Sequence, residues 1–265
     1  MNAKPDSPTQ VSAHPNVLFI IADDQGYSDF GFTGNPLVKT PALDRLAAES
    51  AVFKNFVVAA ACSPSRSAFY TGRDHLLTGV WGVPPRANLR RDEALMPAFF
   101  QAAGYETLYV GKGDMARLPD STPWDRGWDD AWTVGGYQHR DPKMPHRHGT
   151  EQFTGWTADI MTDLILKFLR DEPRGKPWFV TAAFIIPHLP FQCADAWSRP
   201  FRDQGLSPQL ADCYGSIAHM DACIGRLLDG LRETGQADDT IVVFTSDNGM
   251  SSKGEPMQEF SEQDW

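Results

Sequence analysis

The chain has 265 residues, of which 42% are hydrophobic and 22% charged, and its pI is about 5.1. These values exclude a disordered, collagen-like or membrane-spanning protein. Lys and Arg number 24 against 34 Asp and Glu, a net charge of -10. Neither a nucleic acid nor a membrane is therefore an expected partner, because both require a basic surface. An anionic substrate must be bound by a local site.

The cysteines and the N-terminal sequence indicate the compartment. The four cysteines form no C-x-x-C pair, which is typical of a reducing environment. Residues 1–15 are polar and are expected to be disordered, and the apolar run at 17–21 is too short for a signal peptide or an anchor. We therefore expect a cytoplasmic protein as the sequence is written, or a periplasmic or secreted one if an N-terminal signal precedes it.

Short β-branched or aromatic runs alternate with longer segments of helical periodicity. The predicted strands, in chain order, are 16–22, 52–58, 106–110, 178–184 and 240–245. Helices are predicted at 41–48 with Thr40 as N-cap, at 94–103 with Gly104 as C-cap, and around the apolar repeats of 153–168 and 217–231. This alternation predicts an α/β fold, a mostly parallel sheet covered by helices on both faces.

Polar side chains follow four of the predicted strands. They are Asp23 and Asp24 after the first strand, Lys112 after the third, His188 after the fourth, and Asp247 and Asn248 after the fifth. Ligands of open α/β sheets bind beyond the carboxyl ends of the strands, so these side chains are expected to share one edge. The Asp and Asn oxygens suit Ca²⁺ or Mg²⁺ better than zinc. Each residue alone is also ordinary at a strand-to-loop junction.

The segment Cys62-Ser63-Pro64-Ser65-Arg66 predicts an anion site. Ser63 is expected to cap a helix that begins at Pro64, which places Cys62 beside free backbone N–H groups. Arg66 would add a permanently charged clamp for a tetrahedral oxyanion. The alternative is that Cys62 is a small buried hydrophobe, as a lone cysteine before a helix often is.

The sequence C-S-P-S-R at 62–66, followed by T-G-R at 71–73, resembles the signature of the type I, formylglycine-dependent sulfatases of the alkaline phosphatase superfamily. Further matching motifs, in chain order, are NVLFIIADDQ at 16–25, GK at 111–112, PHLP at 187–190 and TSDNG at 245–249. The resemblance implies a sulfatase-like catalytic domain over residues 16–250. It also implies that residues 251–265 form a short tail in place of the family's C-terminal subdomain.

The same resemblance implies a chemistry. A formylglycine-generating enzyme would convert Cys62 to formylglycine, whose hydrated aldehyde attacks the sulfur of a sulfate monoester on a small molecule or glycan. The implied metal ligands, for Ca²⁺ or alternatively Mg²⁺ or Mn²⁺, are Asp23, Asp24, the modified Cys62, Asp247 and Asn248. Arg66 would stabilise the hydrate, and Lys112 and His188 would contact sulfate oxygens or assist the leaving group.

Three features depart from the family pattern. Asp114 stands where the family has the histidine of Gly-Lys-x-His, and Lys253 is the only candidate for the lysine that follows the Asp-Asn-Gly turn. The chain also ends at Trp265, soon after the fifth predicted strand. Two alternatives therefore stay open: a phosphate or phosphonate monoester hydrolase on the same scaffold, and a non-catalytic truncated sulfatase homologue.

Two groups of aromatic residues receive structural interpretations. Trp124, Trp128 and Trp132 are expected to pack in the core or against loops rather than form a sugar-stacking platform. Three histidines lie in a polar segment, 138–149, that is expected to be a solvated loop rather than a zinc site because it lacks the ligand spacing. They are His139, His146 and His148.

Overall fold

The structure is a computed structural model that describes residues 14–84, 88–113, 122–171 and 175–250. The strands within these ranges are β1 Asn16–Ala22, β2 Glu106–Lys112, β3 Asp130–Val134, β4 Lys143–His146, β5 Gly149–Gln152, β6 Trp178–Ala183 and β7 Thr240–Ser246. The α-helices are α1 Pro41–Ala48, α2 Cys62–Thr71, α3 Met96–Ala102, α4 Thr157–Arg170, α5 Asp195–Arg202 and α6 Pro208–Glu233. No helix in the described ranges combines the length and the apolar character needed to cross a bilayer.

All seven strands form one sheet in the order β5-β4-β3-β2-β6-β1-β7. The five strands from β3 to β7 in this order run parallel, and β4 and β5 extend the sheet as an antiparallel pair. The predicted mostly parallel α/β sheet is therefore confirmed. Because β1 lies between β6 and β7, the loops that follow these three strands leave the sheet side by side.

Successive side chains of the central strands point to opposite faces of the sheet, and both faces are buried. In β1, Leu18, Ile20 and Ala22 point into a core that includes buried residues of α1, α4 and α6. Phe19 and Ile21 point the other way, into a second core that includes residues of α2 and α3. Each face is thus closed by helices, as expected when parallel strands are buried on both sides.

The N-terminus of α1 is capped from a distant helix. Thr40 occupies the predicted N-cap position, but its side chain makes no cap hydrogen bond. Instead, the Asp221 carboxylate on α6 accepts hydrogen bonds from the backbone N–H groups of Ala42 at 2.9 Å and Leu43 at 2.8 Å. A buried carboxylate here satisfies two of the helix's unpaired donors and complements the positive end of its dipole.

Two predictions about strands were wrong. Residues 52–58 form no strand, and Phe53, Phe56 and Val57 are exposed on a segment with a turn at 54–55. β propensity reflects packing on a paired sheet surface, and no described strand pairs with this segment. Conversely, β3, β4 and β5 were not predicted, because they are short, β4 lies within the polar stretch 138–149 and β5 begins at its last residue.

Gly111 generates a prediction about stability. Its φ is +129°, and a Cβ there would lie 1.9 Å from the carbonyl oxygen of Ala183 on the neighbouring strand. Gly111→Ala is therefore expected to lower the free energy of unfolding by about 3 kcal/mol or more, measured by urea denaturation.

The matched control is Gly235→Ala, at φ +69° with no atom within 4 Å of the added carbon. It is expected to cost only about 1 kcal/mol, the price of the backbone conformation alone. Equal losses in the two variants would contradict the close approach of β2 and β6 at Gly111.

Candidate active site

The structure brings all eight predicted site residues to the carboxyl edge of the sheet. Asp23 and Asp24 follow β1, Lys112 ends β2, His188 lies in the loop after β6, Asp247 and Asn248 follow β7, and Cys62 and Arg66 belong to α2. Two backbone contacts extend the pairing of the strands beyond their ends. The Asp23 N–H donates to the Ile186 carbonyl at 2.9 Å, and the Asp247 N–H donates to the Ala22 carbonyl at 3.2 Å.

Two buried cations bind the carboxylates at the centre of the site. Arg66 donates from Nε to Asp247 Oδ2 at 2.7 Å, and its Nη2 lies 3.7 Å from Asp23 Oδ1. Lys112 donates from Nζ to Asp23 Oδ1 at 2.8 Å. The exposed fractions are 0% for Asp23 and Asp247, 1% for Arg66 and 4% for Lys112. Water therefore screens these interactions very little.

Asp24 links the ends of β1, β6 and β7. Its backbone is left-handed, at φ +64°, a conformation that Asp tolerates better than most residues. Its N–H donates to Asp247 Oδ1 at 3.0 Å, and Asn248 Nδ2 donates to Asp24 Oδ1 at 2.5 Å. His188 Nε2 lies 3.5 Å from Asp24 Oδ2. The His188 Nδ1 donates to the Leu189 carbonyl at 2.5 Å, which leaves Nε2 as the nitrogen that faces the site.

The charges of the site do not balance. Among the described residues, three carboxylates, on Asp23, Asp24 and Asp247, meet two permanent cations, Arg66 and Lys112. Burial raises the pKa of Asp23 to about 7, although Lys112 and Arg66 oppose the rise. Burial also raises the pKa of Asp24. In Asp247 the effect of burial is outweighed by Arg66 and Lys112, so its pKa is lowered. The site thus has an excess of buried negative charge.

The oxygen atoms at this edge fit a hard divalent cation. Asp23 Oδ2 and Asn248 Oδ1 are buried and have no hydrogen-bond partner among the described residues. The Cys62 Sγ and one carboxylate oxygen from each of Asp23 and Asp247 lie within 4.8 Å of one another. Buried oxygens without a donor are costly, and a cation would satisfy them and offset the charge excess. Asp23, Asp24, Asp247 and Asn248 are the residues that could hold it.

The same site offers donors to an anion. Arg66 Nη1 and Nη2 are buried and have no hydrogen-bond acceptor in the described part of the chain. Lys112 and His188 lie on the adjoining strand ends. A guanidinium with unused donors beside an ammonium group can bind a tetrahedral oxyanion. Cation and anion sites thus adjoin each other at the centre of the edge.

The helix that carries Cys62 begins earlier in the chain than the sequence predicted. The helix α2 begins at Cys62 itself with Ala61 as N-cap, so the expectation that Ser63 caps a helix starting at Pro64 was wrong. Ala61 is extended, at φ -153°, and the helix begins two residues earlier than predicted without a side-chain cap. Cys62 is 5% exposed and sits on the first turn, where the backbone N–H groups are unpaired within the helix.

Sequence reasoning missed two residues near His188. Tyr137, in the loop after β3, stacks on the His188 ring. His139 is 4% exposed and neither ring nitrogen has a hydrogen-bond partner among the described residues, so the expectation that it lies in a solvated loop was wrong. Because β3 was not predicted, nothing in the sequence indicated that the segment following it lies at the sheet edge. The Gly135-Gly136 turn before Tyr137 was the available signal.

The packing prediction for the tryptophans was confirmed. Trp128 is 1% exposed, and Trp124 and Trp132 are partly buried against the two cores. The expectation that His146 lies in a solvated loop was wrong, since it lies on β4 and stacks on Trp132, with ring centroids 4.3 Å apart. Asp114 and Lys253 lie outside the described residues.

A second group of ligand-type side chains joins α4 to α6. Asp159 Oδ2 lies 2.9 Å from His219 Nε2, and Asp159 Oδ1 accepts hydrogen bonds from Arg226 at 3.1 Å and from Cys223 at 3.7 Å. Both carboxylate oxygens are thus already bound by protein donors, one of them a guanidinium. We interpret this group as a polar contact between helices.

Fold and site together define an α/β protein that brings buried carboxylates and buried cationic donors together at the carboxyl edge of its sheet. The family model described as Sulfatase matches residues 15–265. The chain belongs to the sulfatase family, within the alkaline phosphatase-like superfamily.

The chain is similar to curated sulfatases and to solved structures. The human N-acetylgalactosamine-6-sulfatase is 31% identical over 277 residues, which cover 92% of this chain and 52% of the human protein. The chain spans about half the length of the curated relatives it matches. Among solved structures, Ps i-CgsB matches with a TM-score of 0.84 and 27% identity, over 90% of this chain and 59% of that one. Ps i-CgsB has also been solved in complex with k-i-k-neocarrahexaose.

A phosphonate monoester hydrolase of Agrobacterium radiobacter shares the fold. It matches with a TM-score of 0.66 and 20% identity, over 89% of this chain and 62% of that one. Identity at this level shows the common architecture alone.

His139 generates a prediction about pH. Burial, with a smaller contribution from His188, lowers its pKa to about 4, whereas an unfolded histidine titrates near 6.5. The unfolded chain therefore binds a proton at this residue at a higher pH than the folded chain does. The resulting stability is present above pH 6.5 and is lost as the pH falls towards 4.

Between pH 7 and pH 4.5 the wild-type protein should lose about 2 kcal/mol more unfolding free energy than His139→Leu, measured by urea denaturation at each pH. His148→Leu changes an exposed histidine in the same segment and should follow the wild-type pH dependence. Parallel curves for wild type and His139→Leu would contradict the burial of an unpaired imidazole at this position.

Proposed function

We propose that this chain provides the catalytic site of a sulfatase, which hydrolyses a sulfate monoester to an alcohol and sulfate. The observation that supports this most directly is the position of Cys62. Its Sγ lies within 4.8 Å of oxygens of both Asp23 and Asp247, on the first turn of α2 and beside the unused donors of Arg66. In a member of the sulfatase family, this is where the nucleophile must stand.

The proposal includes conversion of Cys62 to formylglycine by a formylglycine-generating enzyme. The modified residue would supply a hydroxyl nucleophile from its hydrated aldehyde. A divalent cation, Ca²⁺ first and Mg²⁺ or Mn²⁺ as alternatives, would supply charge neutralisation and lower the pKa of a bound hydroxyl. Asp23, Asp24, Asp247 and Asn248 would hold that cation, in keeping with their unpaired oxygens.

The chain's own cations handle the remaining charge. Arg66 Nε is bound to Asp247 Oδ2 at 2.7 Å, which restrains the guanidinium. Its Nη groups, which have no acceptor among the described residues, would donate to the sulfate oxygens and to the modified residue 62. The Lys112 ammonium, whose pKa is raised because Asp23 outweighs the effect of burial, stays charged and binds an equatorial sulfate oxygen. Burial lowers the pKa of His188 against the effect of Asp24. Because the Leu189 carbonyl holds the proton on Nδ1, the neutral ring presents an unprotonated Nε2 that would accept a proton, and only the protonated ring would give one to the leaving oxygen.

The proposed substrate is a sulfated glycan or a small sulfate ester. Two relatives support a sugar: the human relative is named for an N-acetylgalactosamine 6-sulfate, and Ps i-CgsB binds an oligosaccharide. The alternative, hydrolysis of a phosphate or phosphonate ester, rests on the same donors to a tetrahedral anion, Arg66, Lys112 and His188. It is decided by the substrate panel of the first experiment below.

The first experiment asks whether Cys62 is the nucleophile's precursor. Protein expressed in its native host is expected to show the mass change from thiol to aldehyde in the peptide that carries Cys62, and to hydrolyse an aryl sulfate in the presence of Ca²⁺. Cys62→Ala should lower kcat by about 1,000-fold or more, because the nucleophile is lost. Cys223→Ala, which removes another buried thiol far along the chain, should retain activity.

Aryl phosphate and aryl phosphonate are tested in parallel. Faster turnover of either than of the sulfate would favour the alternative hydrolase. An unmodified Cys62 with no turnover of any ester, in folded protein from a host that modifies other sulfatases, would overturn the catalytic proposal and favour a non-catalytic homologue.

The second experiment tests the cation. Asp24→Asn removes a carboxylate that is not bound by Arg66 or Lys112, so it changes the site's charge while keeping both ion pairs. The Ca²⁺ dissociation constant, measured by titration calorimetry with Mg²⁺ and Mn²⁺ as comparisons, should rise at least about tenfold.

Asp159→Asn is the matched control, since it alters the polar contact between α4 and α6 and should leave Ca²⁺ affinity unchanged. Weaker Ca²⁺ binding in Asp159→Asn with unchanged binding in Asp24→Asn would contradict the proposed site and place the cation at the contact between α4 and α6.

A further inference from the structure

Tyr137 contacts two of the groups to which the proposed function gives a role. Its ring is parallel to the His188 imidazole, with centroids 3.6 Å apart and planes at 8°. The Lys112 Nζ lies 5.1 Å from the centroid of the same ring. His188 and Lys112 come from different strand ends, and Tyr137 comes from a third, in the loop after β3. One side chain thus bridges two elements of the site.

The His188 ring needs such a support. Its polar contacts are both at its edge, from Nδ1 to the Leu189 carbonyl at 2.5 Å and from Nε2 to Asp24 at 3.5 Å. The χ2 torsion of a histidine has a broad range of allowed values. Hydrogen bonds at the ring edge, one of them to the adjacent residue Leu189, therefore constrain the plane of the His188 ring weakly. A parallel aromatic ring restricts that rotation over the whole face of the imidazole.

Tyr137 itself is firmly placed and neutral. It packs against the core that α4 and α6 share with the sheet. Burial raises the pKa of its hydroxyl to about 12, against the effect of Lys112, so the phenol keeps its proton at neutral pH. It therefore adds no charge to an anion site. The ring also attracts the Lys112 ammonium through its face.

We propose that Tyr137 is the positioning residue that fixes the His188 ring and the Lys112 ammonium relative to each other, so that both address the same tetrahedral anion. This inference rests on the proposed function for the identity of the anion. It adds a residue outside the motifs that identify the family, on a loop that the sequence did not place at the site.

The test compares Tyr137→Leu with Tyr137→Phe. The phenylalanine variant keeps the aromatic face, whereas the leucine variant removes it while preserving an apolar side chain. In Tyr137→Leu, kcat for an aryl sulfate should fall about tenfold or more while KM changes less, because a misplaced catalytic group affects the transition state most. Tyr137→Phe should stay within about threefold of wild type.

Two further readouts do not depend on turnover. The ring protons of His188, assigned with His188→Gln, should lose the upfield shift caused by Tyr137 in the leucine variant and keep it in the phenylalanine variant. The dissociation constant for inorganic sulfate should rise about tenfold in Tyr137→Leu, because Lys112 and His188 no longer converge. Thermal unfolding establishes that each variant is folded.

His146→Leu is the matched control, because it removes another parallel aromatic pair, the stack on Trp132, outside the site. It should leave turnover and sulfate binding at wild-type values. If wild type turns over no ester, the proposed function fails, while the His188 spectrum and sulfate binding still decide the role of Tyr137. Wild-type sulfate affinity and an unchanged His188 spectrum in Tyr137→Leu would overturn the inference.

Discussion

The site depends on a cluster of buried charges in which carboxylates outnumber cations. Arg66 is bound to Asp247, and Lys112 is bound to Asp23, in each case with both partners almost completely removed from water. Breaking either pair would leave an uncompensated buried charge, which is strongly destabilising. These pairs hold α2 and the ends of β1, β2 and β7 in one arrangement, and the carboxylate that remains in excess gives the site its capacity for a cation.

The fold supplies this cluster through topology rather than through local sequence. Asp24 and Asp247 are separated by 223 residues, yet they hydrogen-bond because β1 and β7 are neighbours with parallel register. Parallel strands deliver their carboxyl ends to one edge, so each βα crossover adds another functional side chain to the same place. The buried faces of β1 and β6 make that edge rigid, which allows charged groups to be held apart from water without collapsing onto one another.

Most of the strands and most of the site residues could be predicted from the sequence. Asp23, Asp24, Asp247 and Asn248 directly follow long apolar strands, and a residue beside a strand end is located as soon as the strand is recognised. Tyr137 and His139 follow β3, a five-residue strand that carries no clear alternation, so their place near His188 depended on tertiary contacts that the sequence does not display. The false strand at 52–58 shows the opposite failure, since strong β propensity there finds no partner among the described residues. At α1, the cap came from Asp221 rather than Thr40, a contact over 179 residues that no local rule could supply.

We propose that one buried edge of the sheet binds a divalent cation and a tetrahedral anion side by side. Anomalous diffraction from crystals soaked with Mn²⁺ and sulfate tests this proposal most directly. We expect a manganese peak among Asp23, Asp24, Asp247 and Asn248, with sulfate oxygens within hydrogen-bonding distance of Arg66, Lys112 and His188. A manganese peak at Asp159, His219 and Cys223 instead would contradict this proposal. So would sulfate bound away from Arg66 in crystals that contain the unmodified Cys62.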